Sequence, residues 1–198
     1  MARGGGRRLD RTGNLLGALS LAIADRTADA VGESVGQSET AAIALSALHH
    51  FLDAPSVDLL RQVLGLTPSG TVRVVDRLQD AGYVTRRPGH DGRSVSLRLT
   101  TSGRRAAERV SAARAEVLEG ALSALDPGER EALDRAASRV LVGLIRGPGA
   151  VRWMCRACDT SACGREAGRC PVANAAQELY SESRARNRAS KGAGGRPG

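Results

Sequence analysis

Aromatic side chains are scarce in this 198-residue chain: one Phe, two Tyr and one Trp, at Phe51, Tyr83, Trp153 and Tyr180. A core must therefore be built mostly from Leu, Val and Ala. No aromatic platform exists for stacking unpaired bases, which argues against RNA-recognition and single-strand-binding folds. No segment reaches the roughly 18 to 20 uninterrupted apolar residues of a membrane span. A Gly-rich phosphate loop, a GxSxG elbow and an HExxH helix are all missing, so no catalytic residue is expected. Cysteine is confined to one stretch, CRACDTSACGREAGRC, from Cys155 to Cys170.

Positive charge is plentiful: 29 Lys and Arg against 21 Asp and Glu give a net charge of +8, which favours a polyanionic partner. The start, MARGGGRRLDRTGN followed by LLGALSLAIA, imitates a secretion signal. Ser20 interrupts that apolar run and ADRTADAV continues it with helix-compatible charges, so an amphipathic first helix is expected instead, in a cytoplasmic, nucleoid-associated protein.

Periodicity places that helix from Leu15 to about Ala30 and a second one after Ser38, with Ala42, Leu45 and Leu48 at helical spacing. Asp53, Ala54 and Pro55 break the chain. Ser56 then caps SVDLLRQVL, which stops near Gly65, and Thr67 with Pro68 starts a fourth helix that ends at Gly82. A short helix, a tight turn and a longer helix form a helix-turn-helix pattern, held by Leu59, Val63, Leu66, Val75 and Leu78. Tyr83 and Val84 open a strand, PGHDG supplies a turn, and SVSLRLT is expected to alternate Val95, Leu97 and Leu99 inward. With Arg86, Arg87, Arg93 and Arg98 around the turn, this hairpin reads as a basic wing. That order puts one element in a DNA major groove and another against the minor groove.

From Thr101 a long helix is expected, with an apolar stripe through Ala106, Val110, Ala113, Val117 and Ala121. Asp126, Pro127 and Glu129 match a cap, a first-turn proline and a capping box for a sixth helix. The first and sixth helices are apolar elements left over from the central domain, suited to bury each other across a two-fold axis.

LTPSGTVRVVDRLQDAGYVTR, the wing DGRSVSLRLTTSG and LDPGEREAL resemble the MarR family of winged helix-turn-helix transcriptional regulators, the likeness covering about Leu15 to Ile145. The resemblance implies an obligate homodimer, mostly acting as a repressor, that binds a pseudo-palindromic operator in double-stranded DNA. It also implies a small-molecule effector between the winged domain and the dimerisation helices. Carried onto this chain, it sets Ser69, Gly70, Thr71 and Arg73 against base edges and phosphates, Asp91 as the acid holding the wing loop, and Arg93 in the minor groove. Gly70 and Val72 depart from the hydroxyl-bearing residues common at those positions, which thins the hydrogen-bonding readout. Arginine suits either groove, because its rigid fork bridges guanine O6 and N7 or sits in the negative potential of a narrow minor groove. Arg77 and Arg87 read as phosphate contacts or solvated charges, and Asp76 as a salt-bridge partner. His49 and His50 are adjacent on a helix, point different ways and read as structural.

Cys155, Cys158, Cys163 and Cys170 have the spacing CxxCx4Cx6C, which can wrap four thiolates round one metal centre. Zinc is the first expectation, since it takes four soft ligands at tetrahedral corners. A [4Fe-4S] cluster is the alternative, which would make the module a redox or oxygen sensor, and thiol–disulfide sensing is a third reading. The expected architecture is mostly α with a small β-wing: a winged helix-turn-helix with dimerisation helices over 12–146, its DNA-binding core at about 53–102. A four-cysteine metal-binding module (151–180) and a basic disordered tail (181–198) follow. A low-specificity nucleoid or metal-storage protein is the competing class.

Overall fold

The computed structural model describes residues 8–89, 94–147 and 150–192, with 182–192 as backbone alone. The described elements run α1 (Arg11–Val35), α2 (Glu39–His50), α3 (Val57–Leu64), α4 (Pro68–Asp80), β1 (Val84–Pro88), β2 (Val95–Leu99), α5 (Thr101–Leu122), α6 (Pro127–Gly143), α7 (Ala150–Met154) and α8 (Pro171–Gly192). The molecule is mostly helical with one two-stranded wing, as the sequence implies. None of the described helices is long and apolar enough to cross a membrane.

Helix starts follow side-chain chemistry. Asp10, Ser38, Ser56, Thr67, Thr100 and Asp126 each accept a backbone N–H three residues ahead, a bond worth about 0.5–2 kcal/mol per helix. At α6 the cap is reciprocal, because the Glu129 carboxylate also accepts from the Asp126 N–H at 2.9 Å. The first helix is longer than its apolar run: Asp10 starts it, and Gly36, left-handed at φ 62°, ends it.

Helix α2 is the centre of the main core. Ala41, Ala42, Ala44, Leu45 and Ala47 are all fully buried, so the helix is covered on every side. Small side chains let its neighbours approach closely, which is how a chain with few aromatics closes a core. Val31 and Val35 of α1, Leu60 and Val63 of α3, Val75 and Leu78 of α4, Val84 and Leu97 of the wing, and Ala106, Ala107 and Val110 of α5 complete it. The α5 stripe is buried only as far as Val110; Ala113 and Val117 are half-exposed and Ala121 is exposed.

The wing strands pair antiparallel, Val84 opposite Leu99 and Pro88 opposite Val95. The inward alternation expected of Val95, Leu97 and Leu99 is not what forms: Val95 is 43% exposed and Ser96 is buried. A third segment causes the change. Ser56 bridges to Ser96, and the Leu97 N–H donates to the Pro55 carbonyl at 2.9 Å. The Ser96 hydroxyl is satisfied by the Arg87 carbonyl at 3.3 Å, so it tolerates burial.

Thr100 joins the wing to α5. Its hydroxyl donates to the Gly82 carbonyl at 2.7 Å and accepts from the Gly103 N–H at 2.9 Å. Gly103 has to be a glycine, since a Cβ there would lie 1.9 Å from the Tyr83 carbonyl oxygen.

A second, smaller core gathers Ile145, Val151, Cys155, Cys170, Val172 and Ala176, with Tyr180 donating to the Gly147 carbonyl across it. Helix α8 runs on to Gly192, so its backbone is helical well into the stretch that composition assigns to a disordered tail. Arg, Ala, Ser and Lys there are helix-compatible and no proline intervenes.

Candidate nucleic-acid interface and cysteine module

Helix α4 presents one face outward. Ser69, Arg73 and Arg77 are exposed and Val72 is 45% exposed, while Val75 and Leu78 are fully buried. Thr71 lies on the inner face with Val75 and Leu78, at i, i+4 and i+7. It is fully buried, and its hydroxyl donates to the Thr67 carbonyl at 3.0 Å. Thr71 is thus a core residue, and its expected contact with base edges is corrected. That register was readable from the spacing of Val75 and Leu78. Gly70 is half-buried and its N–H is taken by the Thr67 cap at 3.1 Å. The outward set is Ser69, Arg73 and Arg77.

Asp76 is a salt-bridge partner, as expected of it: its carboxylate meets Arg86 of β1 at 2.5 Å, and Arg86 also donates to Gln79 Oε1 at 2.6 Å. These bonds lock the outward helix to the wing, a role for Arg86 that spacing alone did not single out. Arg87 is exposed on the same strand. Asp91 and Arg93 lie outside the described residues.

The cysteine module sits against this domain rather than hanging from it. Helix α7 packs on α3, and the Trp153 indole is 3.4 Å from where a Gly65 Cβ would be. Gly65, left-handed at φ 66°, is the residue that ends α3 and opens the turn into α4. On the other side the Thr160 hydroxyl donates to the His50 carbonyl at 3.1 Å, and Asp159 lies 3.8 Å from His50 Nδ1. His50 Nε2 is 2.9 Å from Ser111 Oγ, so this histidine links α2, α5 and the module. Burial pushes its imidazole below the ordinary value, against the opposing pull of Asp159.

All four cysteines are free thiols. Cys155 and Cys158 share a hydrogen bond, as do Cys163 and Cys170. The bond with Cys155 draws the Cys158 thiol down to about 6, with Arg114 and Arg165 acting the same way against the effect of burial. The same bond, then burial, pushes Cys155 up. The pairs are neighbours but do not converge: among the described residues, no group of three or more His, Cys, Asp or Glu side chains is arranged to hold a metal ion.

A capped helix pair with an outward basic face, followed by a two-stranded hairpin pinned to it, defines a winged helix-turn-helix protein. Residues 36–94 match the model of the MarR family, and the chain has the MarR-family fold. It is similar to YwhA, an uncharacterized HTH-type transcriptional regulator of Bacillus subtilis, with 33% identity over 75 residues. That match spans 37% of this chain and about half (53%) of the relative. Among solved structures it is similar to MepR, a transcription regulator of the Staphylococcus aureus multidrug efflux pump MepA, at 17% identity and a TM-score of 0.60, covering 69% of this chain and 100% of that one. A mutant of MepR bound to an oligodeoxyribonucleotide matches at 18% identity and a TM-score of 0.51, with the same two coverages, 69% and 100%. YusO of Bacillus subtilis matches at 21% identity and a TM-score of 0.55, covering 63% and 88%.

Proposed function

We propose that the protein is a homodimeric, sequence-specific double-stranded DNA-binding transcriptional regulator, acting as a repressor that is released by a small ligand or by a change at the cysteine module. The observation that carries this reading is the outward face of α4: Ser69, Arg73 and Arg77 are exposed on a helix whose opposite face is fully buried and which is salt-bridged to the wing. The oligodeoxyribonucleotide bound by the MepR mutant supports the same use of the fold.

The dimer reading rests on apolar surface left in water. Leu15, Leu16, Leu19 and Leu21 near the start of α1 are 48–67% exposed. Val140, Leu141, Val142 and Leu144 at the end of α6 are 36–55% exposed. None of the α6 residues is buried within one chain. A second copy that covers both faces removes this surface from water.

In this reading a small effector would enter the cleft of about 280 Å³ beside the wing, which His49, Asp53, Arg98 and Arg104 line among others. The reading is tested by selecting duplexes from a random pool and titrating the enriched sequence against scrambled DNA. The expected result is a palindromic site bound about 10³-fold or more tightly than scrambled DNA. Equal affinity for both would establish the low-specificity nucleoid class instead.

A further inference from the structure

We propose that Cys155, Cys158, Cys163 and Cys170 form one four-thiolate metal site, and that filling it fixes α7 against the helix-turn-helix. Its effect on DNA rests on the function proposed above; the site itself does not.

Four free thiols lie within sixteen residues. The fold collects them from separate turns. Cys155 and Cys158 follow α7, Cys163 lies in the next turn, and Cys170 immediately precedes α8. Gly164 and Gly168, at φ 65° and 67°, reverse the chain between the last two. Cys155 and Cys170 are buried in the small core, with Cys158 and Cys163 packed against it. All four sulfurs therefore share this small core, where Cys155 and Cys158 act on each other, as do Cys163 and Cys170.

As the side chains stand, no three of them are arranged to hold an ion; Zn–S bonds of about 2.3 Å require the sulfurs to draw in to about 3.8 Å of one another. Each thiol that coordinates gives up its proton, so a zinc ion releases up to four protons and no electron is transferred. The tetrathiolate that results carries about two negative charges. Arg114 and Arg165, both close enough to act on Cys158, lie on the side where that charge appears. A preformed [4Fe-4S] cluster delivered by the cell would use the same four thiolates with no change of oxidation state.

The site's neighbour gives it a consequence. Trp153 is two residues before Cys155, and its indole lies against Gly65, the cap that ends α3 and opens the turn into α4. Thr160, between Cys158 and Cys163, grips the end of α2. A filled site holds both contacts in one rigid unit; an empty one leaves them on loose turns.

The test uses full-length protein purified without oxygen. Metal analysis should give about one zinc per subunit, or about four irons with a broad band near 400 nm. After removal of metal by chelator and reductant, Co(II) should bind with the visible spectrum of a tetrahedral thiolate site. Its binding should also shift the fluorescence of Trp153, the sole tryptophan. Cys163→Ser and Cys170→Ser should each abolish the Co(II) spectrum. Affinity for the selected duplex should differ about 5- to 150-fold between loaded and stripped protein. Trp153→Ala should keep the metal and lose that difference.

A stripped wild-type protein that takes up no Co(II) overturns the site. Loaded and stripped forms with equal DNA affinity overturn the coupling. If no duplex is enriched, the DNA reading fails, while Co(II) uptake and Trp153 fluorescence still decide the site.

Discussion

Two glycines in the same helix should respond to the same substitution with opposite sign. At Gly103, in the first turn of α5, an added Cβ lies 1.9 Å from the Tyr83 carbonyl oxygen, 2.8 Å from its carbon and 3.2 Å from Leu99 Cδ2. The first two obstacles are backbone, and that backbone is held by the Thr100 N–H, which donates to the Tyr83 carbonyl at 3.0 Å. It cannot swing aside as a side-chain tip would. Forcing atoms into such a contact costs about 1–3 kcal/mol, and occasionally more. For a protein of this length that lowers Tm by about 2–12 °C. At Gly120, near the other end of α5, nothing lies within 4 Å of the added Cβ. There alanine recovers only the helix propensity that glycine lacks, about 0.5–1 kcal/mol of stabilisation. Thermal and urea unfolding followed by helical circular dichroism at fixed protein concentration would measure both. Gly103→Ala as stable as wild type, or both variants shifting the same way, would refute the claim that the wing is wedged against α5 at this point.

Arg73→Ala should weaken binding to the selected duplex by about 1–3 kcal/mol and relax preference at one base pair. Thr71→Val should leave the selected sequence unchanged and alter only stability; anisotropy titrations against single-base variants distinguish the two. Replacing Leu16 and Leu19 together with Glu places charge on the exposed α1 face, and sedimentation should then report a monomer with lost operator binding. Because burial holds the folded His50 imidazole below its ordinary value, the unfolded chain binds more protons over that interval. Stability should therefore be fully present above about pH 6.5 and decline as pH falls through it. His50→Gln should flatten that slope in urea unfolding between pH 5 and 8, the range in which imidazole titrates.

Local chemistry is what the sequence exposes most clearly. The hydroxyls of Ser38, Ser56 and Thr67 and the Asp126 carboxylate could be read as caps because a cap needs only its own residue and the next three. The wing was legible as a hairpin, but not the burial of Ser96. That depends on Ser56 and Pro55, forty residues earlier, supplying a third neighbour to β2. The outward and inward faces of α4 follow from its 3.6-residue period, and the resemblance that set Thr71 beside Arg73 overrode that period. The cysteine spacing announced a cluster of thiols, yet no local pattern connects Trp153 with Gly65. That contact joins residues far apart in the chain and exists only once two separate cores have docked.

The joint at Thr100 turns α5 into a lever. At about 1.5 Å per residue its 22 residues extend about 33 Å, with the wing fastened rigidly at one end and α6 following the other. A tilt of about 5° at the α6 end carries the wing, and the α4 face locked to it, through about 3 Å, close to the 3.4 Å spacing of successive base pairs. In the proposed dimer the distance between the two α4 faces would therefore change by about a base-pair step while Ser69, Arg73 and Arg77 keep their places on the helix. What a signal would have to alter is the angle of one helix.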